Sequence, residues 1–129
     1  MLSGKNVFLT GSAGTGKSTV INAFKKQSRG NCVIVAPTGV AALNVRGQTI
    51  HSFFMLAPGL IDPENLDPIP YKKKRELMRQ VDTLIIDEIS MVRSDVFAAI
   101  DKRLKQVASK TNKNRPFGGK QVICCGDFF

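Results

Sequence analysis

The stretch that decides the fold is "VFLTGSAGTGKST" (7–19), four apolar or β-branched residues followed by a glycine-rich turn and a lysine. Its core, "GSAGTGKS" (11–18), fits G-x-x-x-x-G-K-[ST] in the setting that this pattern requires, after a strand and before a helix. Gly11, Gly14 and Gly16 allow backbone approaches that a Cβ would forbid. Successive N–H groups from Gly11, Ser12, Ala13, Gly14, Thr15, Gly16, Lys17, Ser18 and Thr19 can then wrap a phosphate, with the positive end of the following helix behind them. Lys17 would reach the β- and γ-phosphates, and the Ser18 hydroxyl would face Mg²⁺. At average composition the four constrained positions coincide by chance in about 0.5% of chains of this length.

Working outward, three more apolar runs recur: "CVIVA" (32–36), "TLIID" (83–87) and "QVICC" (121–125). They are continuously apolar rather than alternating, as strands buried on both faces of a parallel sheet are. Helix-like segments separate them. Residues 17–28 place Val20, Ile21 and Phe24 on one face, with Gly30 as a stop. From Ser94, read as an N-cap, Phe97, Ile100, Leu104 and Val107 recur at helical spacing, and Asp101 and Lys105 stand four apart on the outer face. Strands alternating with helices predict an α/β three-layer sandwich with a mainly parallel sheet. Right-handed crossovers would set the strand C-terminal ends along one edge. "APGLIDPENLDPIP" (57–70) holds four of the six prolines and reads as a surface excursion, and "SKTNKNRPFGG" (109–119) as a polar, basic loop.

A net charge of +9 on 129 residues points to polyanionic partners. No run of about 18 apolar residues could span a bilayer, so no membrane is expected. Three cysteines without a C-x-x-C pair give neither a disulfide framework nor a zinc pattern, and suggest a reducing, intracellular compartment, the cytoplasm in a bacterium.

A phosphate loop binds, whereas turnover needs a magnesium anchor and a group that positions water. "LIIDE" (84–88) ends an apolar strand in two carboxylates. Asp87 is suited to hold the magnesium and Glu88 to orient or deprotonate the attacking water. Guanine specificity is excluded. In "NKNR" (112–115) Arg115 stands where a carboxylate must accept hydrogen bonds from the base, and arginine cannot accept.

"FLTGSAGTGKST", "APTGVAALNVRGQTIHSFF", "LIIDEISMV" and "PFGGKQVICCGDFF" occur in an order that resembles the PIF/RecD-like branch of superfamily-one DNA helicases, over nearly the whole chain. The resemblance implies a P-loop NTPase with RecA-like fold, an ATP-driven motor moving 5′ to 3′ on single-stranded DNA. It implies ATP and Mg²⁺ as ligands, with Lys17, Asp87 and Glu88 as catalytic residues and Ser18 and Asp87 holding the metal. It also carries Pro37–Phe54 over to a DNA-contacting motif, where Thr38, Gly39, His51 and Phe53 are candidates for strand contacts. Base-stacking platforms use aromatics beside polar and basic groups, which agrees with that stretch. Gly126 and Asp127 match the opening of a motif that usually continues into a glutamine sensing the γ-phosphate. On this reading residues 1–129 are an incomplete first RecA-like domain, ending inside the "GDFF" motif, and a second RecA-like domain with its arginine finger lies elsewhere in the parent. A nucleotide-dependent switch or helicase loader without sustained turnover is the other reading. The run "YKKKRELMR" (71–79), five cations in nine residues, is either a solvated face or a basic field that draws DNA in, with Leu77 and Met78 facing inward.

Overall fold

The computed structural model describes residues 7–10 and 30–126. Five strands form one wholly parallel sheet: β1 (Val7–Thr10), β2 (Asn31–Ala36), β3 (Gln48–Thr49), β4 (Val81–Ile86) and β5 (Gln121–Gly126). Their order across the sheet is β1-β5-β4-β2-β3, so β5 lies between the first strand and β4. Four helices are described: α1 (Gly39–Asn44), α2 (Ile50–Phe53), α3 (Lys72–Arg79) and α4 (Ser94–Val107). The helix expected over 17–28 lies outside the described residues; Gly30, its expected stop, is exposed and immediately precedes β2.

The continuous apolar character of the strands has a direct cause. Successive side chains alternate between the two faces of a sheet, so a strand buried on both sides needs apolar residues at every position. Val35, Leu84, Ile86, Val122 and Cys124 enter one core cluster, with Phe54, Met78, Ile100 and Leu104 from the helical side. Ile34, Ile85, Ile123 and Cys125 enter the other, with Val45. Both faces are therefore closed, as three layers require. The neighbouring Cys124 and Cys125 serve opposite faces, and no disulfide joins any of the three cysteines. Among the described residues no helix is long and apolar enough to cross a membrane.

Helix α4 buries Val96, Ala99, Ile100, Leu104 and Val107 on a single stripe, and removing a side chain such as Leu104 would cost about 2–5 kcal/mol. The Asp101–Lys105 pair forms on its outer face at 2.9 Å. Its start differs from expectation. Arg93 takes the cap position, with no side-chain cap bond, and Ser94 lies inside the first turn, followed by Asp95. The Asp95 carboxylate accepts from Arg93 Nε at 3.0 Å and from the Ile61 N–H at 2.9 Å. These bonds, the Arg93 side chain first, hold its pKa at about 2.

The proline-rich excursion is tied down rather than loose. Arg103, 6% exposed, reaches from α4 beneath it and donates from Nε to the Phe54 carbonyl at 2.9 Å and from Nη2 to the Met55 carbonyl at 3.2 Å. Its Nη1 donates to the Asp67 carbonyl and to Gln106 Oε1, while Gln106 Nε2 holds the Leu66 carbonyl. The basic loop is likewise anchored. Phe117 turns through a left-handed conformation, its N–H donating to Asp101 Oδ1 and its ring meeting Phe97 edge-on at 5.4 Å. In α3, Met78 is buried as expected but Leu77 is 55% exposed. The helix is only two turns long, and adjacent residues on a helix face different directions, so one of the two had to point out.

Candidate functional site

The strand register brings the ends of the sheet to a common edge. Thr10 pairs with Gly126, Ile86 with Cys124, Val35 with Ile86 and Ala36 with Thr49. The residues that follow each strand therefore leave from one side of the molecule. After β2 come Thr38 and Gly39, after β3 His51, and after β4 Asp87 and Glu88. Strand neighbours lie about 4.8 Å apart, so the ends of β1 and β4, separated by β5, are about 10 Å from each other. The phosphate-loop residues themselves (Gly11, Ser12, Ala13, Gly14, Thr15, Gly16, Lys17, Ser18 and Thr19) lie outside the described residues, as does Asp127.

Asp87 extends the ladder of β4 by one residue, its N–H donating to the Val35 carbonyl at 2.9 Å. It is 4% exposed, so its carboxylate is held in place by the surrounding structure. A hard oxygen donor fixed at the end of a rigid strand suits a divalent cation such as Mg²⁺. Glu88 breaks the strand at once. It adopts the left-handed conformation (φ 53°, ψ 47°), and its carbonyl accepts from the Met91 N–H at 3.0 Å to open a short 3-10 turn over Ile89–Met91. A non-glycine residue held there costs about 1–2 kcal/mol, and such strain concentrates at functional positions. Gly126 lies against this turn. A Cβ on it would sit 2.9 Å from the Ile89 backbone nitrogen, so glycine is what lets the end of β5 pack beside the carboxylate pair.

The segment that resembles a DNA-contacting motif divides into two short helices around β3. Thr38 is exposed and caps α1, its hydroxyl oxygen accepting from the Ala41 N–H at 3.2 Å. Gly39 follows it, exposed, with nothing within 4 Å of where a Cβ would stand. The fold thus places no steric demand for glycine at 39. On the same helix Val40 and Leu43 are 73% and 78% exposed, so this surface is apolar and hydroxylic rather than basic. His51 is half-buried in α2, whose cap is Thr49. Phe53 corrects the expectation that it offers a stacking face. It is 4% exposed, meets Phe54 edge-on at 4.9 Å and lies 5.2 Å beneath Lys74 Nζ, because α2 turns its aromatic pair into the core.

The cations of "YKKKRELMR" are partly committed. Arg75 Nη1 donates to the Ile69 carbonyl at 2.7 Å and Arg79 Nε to the Val107 carbonyl at 3.0 Å. Sequence reasoning missed Arg103 altogether, and the signal was available. It occupies the same stripe as Ile100, Leu104 and Val107, where a charge is out of place unless it has partners.

The PIF1-like helicase profile matches residues 1–129. The chain is 40% identical over 134 residues to the ATP-dependent DNA helicase PIF1 of Saccharomyces cerevisiae, covering 98% of this chain and 15% of that protein. It is 44% identical over 133 residues to the ATP-dependent DNA helicase PIF5 of Trypanosoma brucei brucei, covering 98% of this chain and 14% of the relative. Among solved structures, the Pif1 helicase from Bacteroides in complex with ADP-AlF3 and ssDNA superposes with a TM-score of 0.87 at 44% identity, over 97% of this chain and 29% of that one. The chain therefore spans about a seventh of the length of these two curated relatives. With a matched profile along its whole length and a parallel sheet that superposes on a Pif1 helicase, the chain belongs to the PIF1-like helicase family.

Proposed function

We propose that this chain is the nucleotide-binding part of an ATP-dependent DNA helicase motor, and that the edge formed by the strand C-terminal ends is where ATP and the single strand meet. The observation that carries this reading is the parallel register that sets Thr10 opposite Gly126 and Ile86 opposite Cys124. The ends of β1 and β4 then lie on one edge about 10 Å apart, which supports a phosphate loop and a carboxylate pair acting together there. On that edge the amides of Gly11 to Thr19 wrap the phosphate tail and Lys17 neutralises its outer oxygens. Ser18 and Asp87 would hold Mg²⁺, whose charge neutralises the bridging phosphate oxygens when bound. The buried position of Asp87 keeps that donor fixed. Glu88, turned off the line of β4, takes the role of orienting the attacking water and accepting its proton. Thr38, Gly39 and His51 leave the same edge from β2 and β3 and contact the strand, with backbone and hydroxyl groups carrying the contact.

Relatives described as ATP-dependent DNA helicases support the activity, and the Bacteroides Pif1 complex with ADP-AlF3 and ssDNA supports both ligands. A second RecA-like domain in the full-length protein would supply the opposing wall of the nucleotide pocket and the arginine that completes it. The test is equilibrium binding of Mg-ATP to the full-length protein and its Lys17→Ala variant. The proposal predicts loss of triphosphate affinity in the variant. Equal affinity would refute the placement of the phosphate tail in the loop.

A further inference from the structure

The edge opposite the candidate nucleotide site, where β4 and β5 begin, carries a second concentration of positive charge. A cavity of about 430 Å³ is lined there by Arg79, Lys110 and Lys120 together with Ser109 and Asn112. A second, also about 430 Å³, lies beside the same loop against α4 and is lined by Lys102, Lys105 and Lys113 with Gln106 and Asn114. Two of these cations are positioned by the fold itself. Arg79 is fixed through Nε on the Val107 carbonyl, and it lines the cavity as an exposed residue. The Lys120 ammonium is held by the carbonyls of Arg79 and Val81 and keeps a third N–H.

Such a face is ordinarily neutralised by carboxylates, and this one is neutralised only in part. Asp101 is already engaged by Lys105 and by the Phe117 N–H. Asp82 accepts from the Asn31 N–H, and its charge favours the protonated form of Lys120. The six cations that line the two cavities thus include one, Lys105, that is ion-paired, and one, Lys120, that feels Asp82. A polyanion could span both cavities, whereas a single small anion could use only one. No exposed aromatic side chain lines either cavity, and Phe117 nearby is packed on Phe97. Single-strand binding draws on stacking between bases and aromatics, so a surface of cations alone favours a duplex, whose bases are already stacked and whose phosphates are exposed.

We infer that the loop 109–115 and the outer face of α4 form a sequence-independent docking surface for the phosphate backbone of double-stranded nucleic acid. The surface is separated from the strand-contacting edge by the length of β4 and β5, about 20 Å. This inference rests on the helicase reading only in taking nucleic acid as the polyanion.

The test is fluorescence anisotropy of the full-length protein with a labelled blunt duplex and, separately, a labelled single strand of the same length, across a salt series. The variant is Lys110→Gln with Lys113→Gln, two lysines whose side chains make no bond within the described residues. For the duplex, the slope of log affinity against log salt should fall by about 0.9 for each phosphate that is no longer neutralised, about 1.8 for the pair. The single-strand slope and Mg-ATP binding should stay as in the parent. An unchanged duplex slope would overturn the inference. Equal losses for duplex and single strand would overturn the assignment to duplex, and displacement of the duplex by polyglutamate at matched charge would overturn nucleic acid as the occupant. Failure of Lys17→Ala to alter ATP binding would strike the helicase reading alone.

Discussion

Replacing Arg103 by alanine tests how the candidate strand-contacting segment is held. The guanidinium makes three bonds to backbone carbonyls, those of Phe54, Met55 and Asp67, and sits 6% exposed. Hydrogen bonds to a charged group contribute about 1.5–3 kcal/mol each. Water can reach the exposed Asp67 and the half-buried Met55 once the arginine is gone, which returns part of that sum. The Phe54 carbonyl, buried beneath a fully buried ring, stays unsatisfied. The expected loss is therefore about 3–5 kcal/mol, a large part of the 5–15 kcal/mol that stabilises an ordinary domain. With a urea dependence of about 2 kcal/mol per molar, the midpoint should fall by about 2 M. Hydrogen exchange should also accelerate selectively over residues 54–67, just beyond His51. Arg103→Lys should recover little, because one ammonium cannot span three divergent carbonyls. An Arg103→Ala protein with unchanged midpoint and unchanged exchange over that segment would refute the clamp.

Two further outcomes follow from local geometry. Asp95 has its pKa lowered from 3.8 to about 2 by the folded structure, so its contribution is complete above about pH 4 and disappears as pH falls through 2. Melting temperatures of the parent and Asp95→Asn should differ by a constant amount above pH 4 and converge toward pH 2; a difference that widens on acidification would contradict the sign. Gly118 has φ 63° and would place a Cβ 2.6 Å from the Leu104 carbonyl oxygen, so Gly118→Ala should destabilise by about 2–4 kcal/mol in a denaturant melt. A neutral or stabilising alanine would show that the turn before β5 can relax without cost.

The sheet was readable from the chain because each strand is buried on both faces and had to be apolar at every position. The four apolar runs match β1, β2, β4 and β5 to within two residues at each end. Helix α4 was readable from its stripe and its Asp101–Lys105 pair. What escaped was set by tertiary contact. β3 is two residues long and exists only by pairing with β2. Phe53 looked like a platform because an aromatic beside a histidine carries no local sign of which way it faces, and α2 turns it inward. Glu88 was expected beside Asp87, but its left-handed backbone is imposed by the turn and by the close approach of Gly126. The cations of 71–79 and 109–120 read alike in sequence. In the fold Arg75 supports the excursion, whereas Arg79 and Lys120 meet across the start of β4.

The most direct test of the shared edge is the Glu88→Gln variant of the full-length protein, measured for Mg-ATP affinity and for DNA-dependent ATP turnover side by side. The amide keeps the size of the side chain and removes the base, so affinity should remain and turnover should fall by about 10²–10⁴. Turnover equal to that of the parent would contradict the role of Glu88 and with it the assignment of the β4 end to the hydrolytic centre.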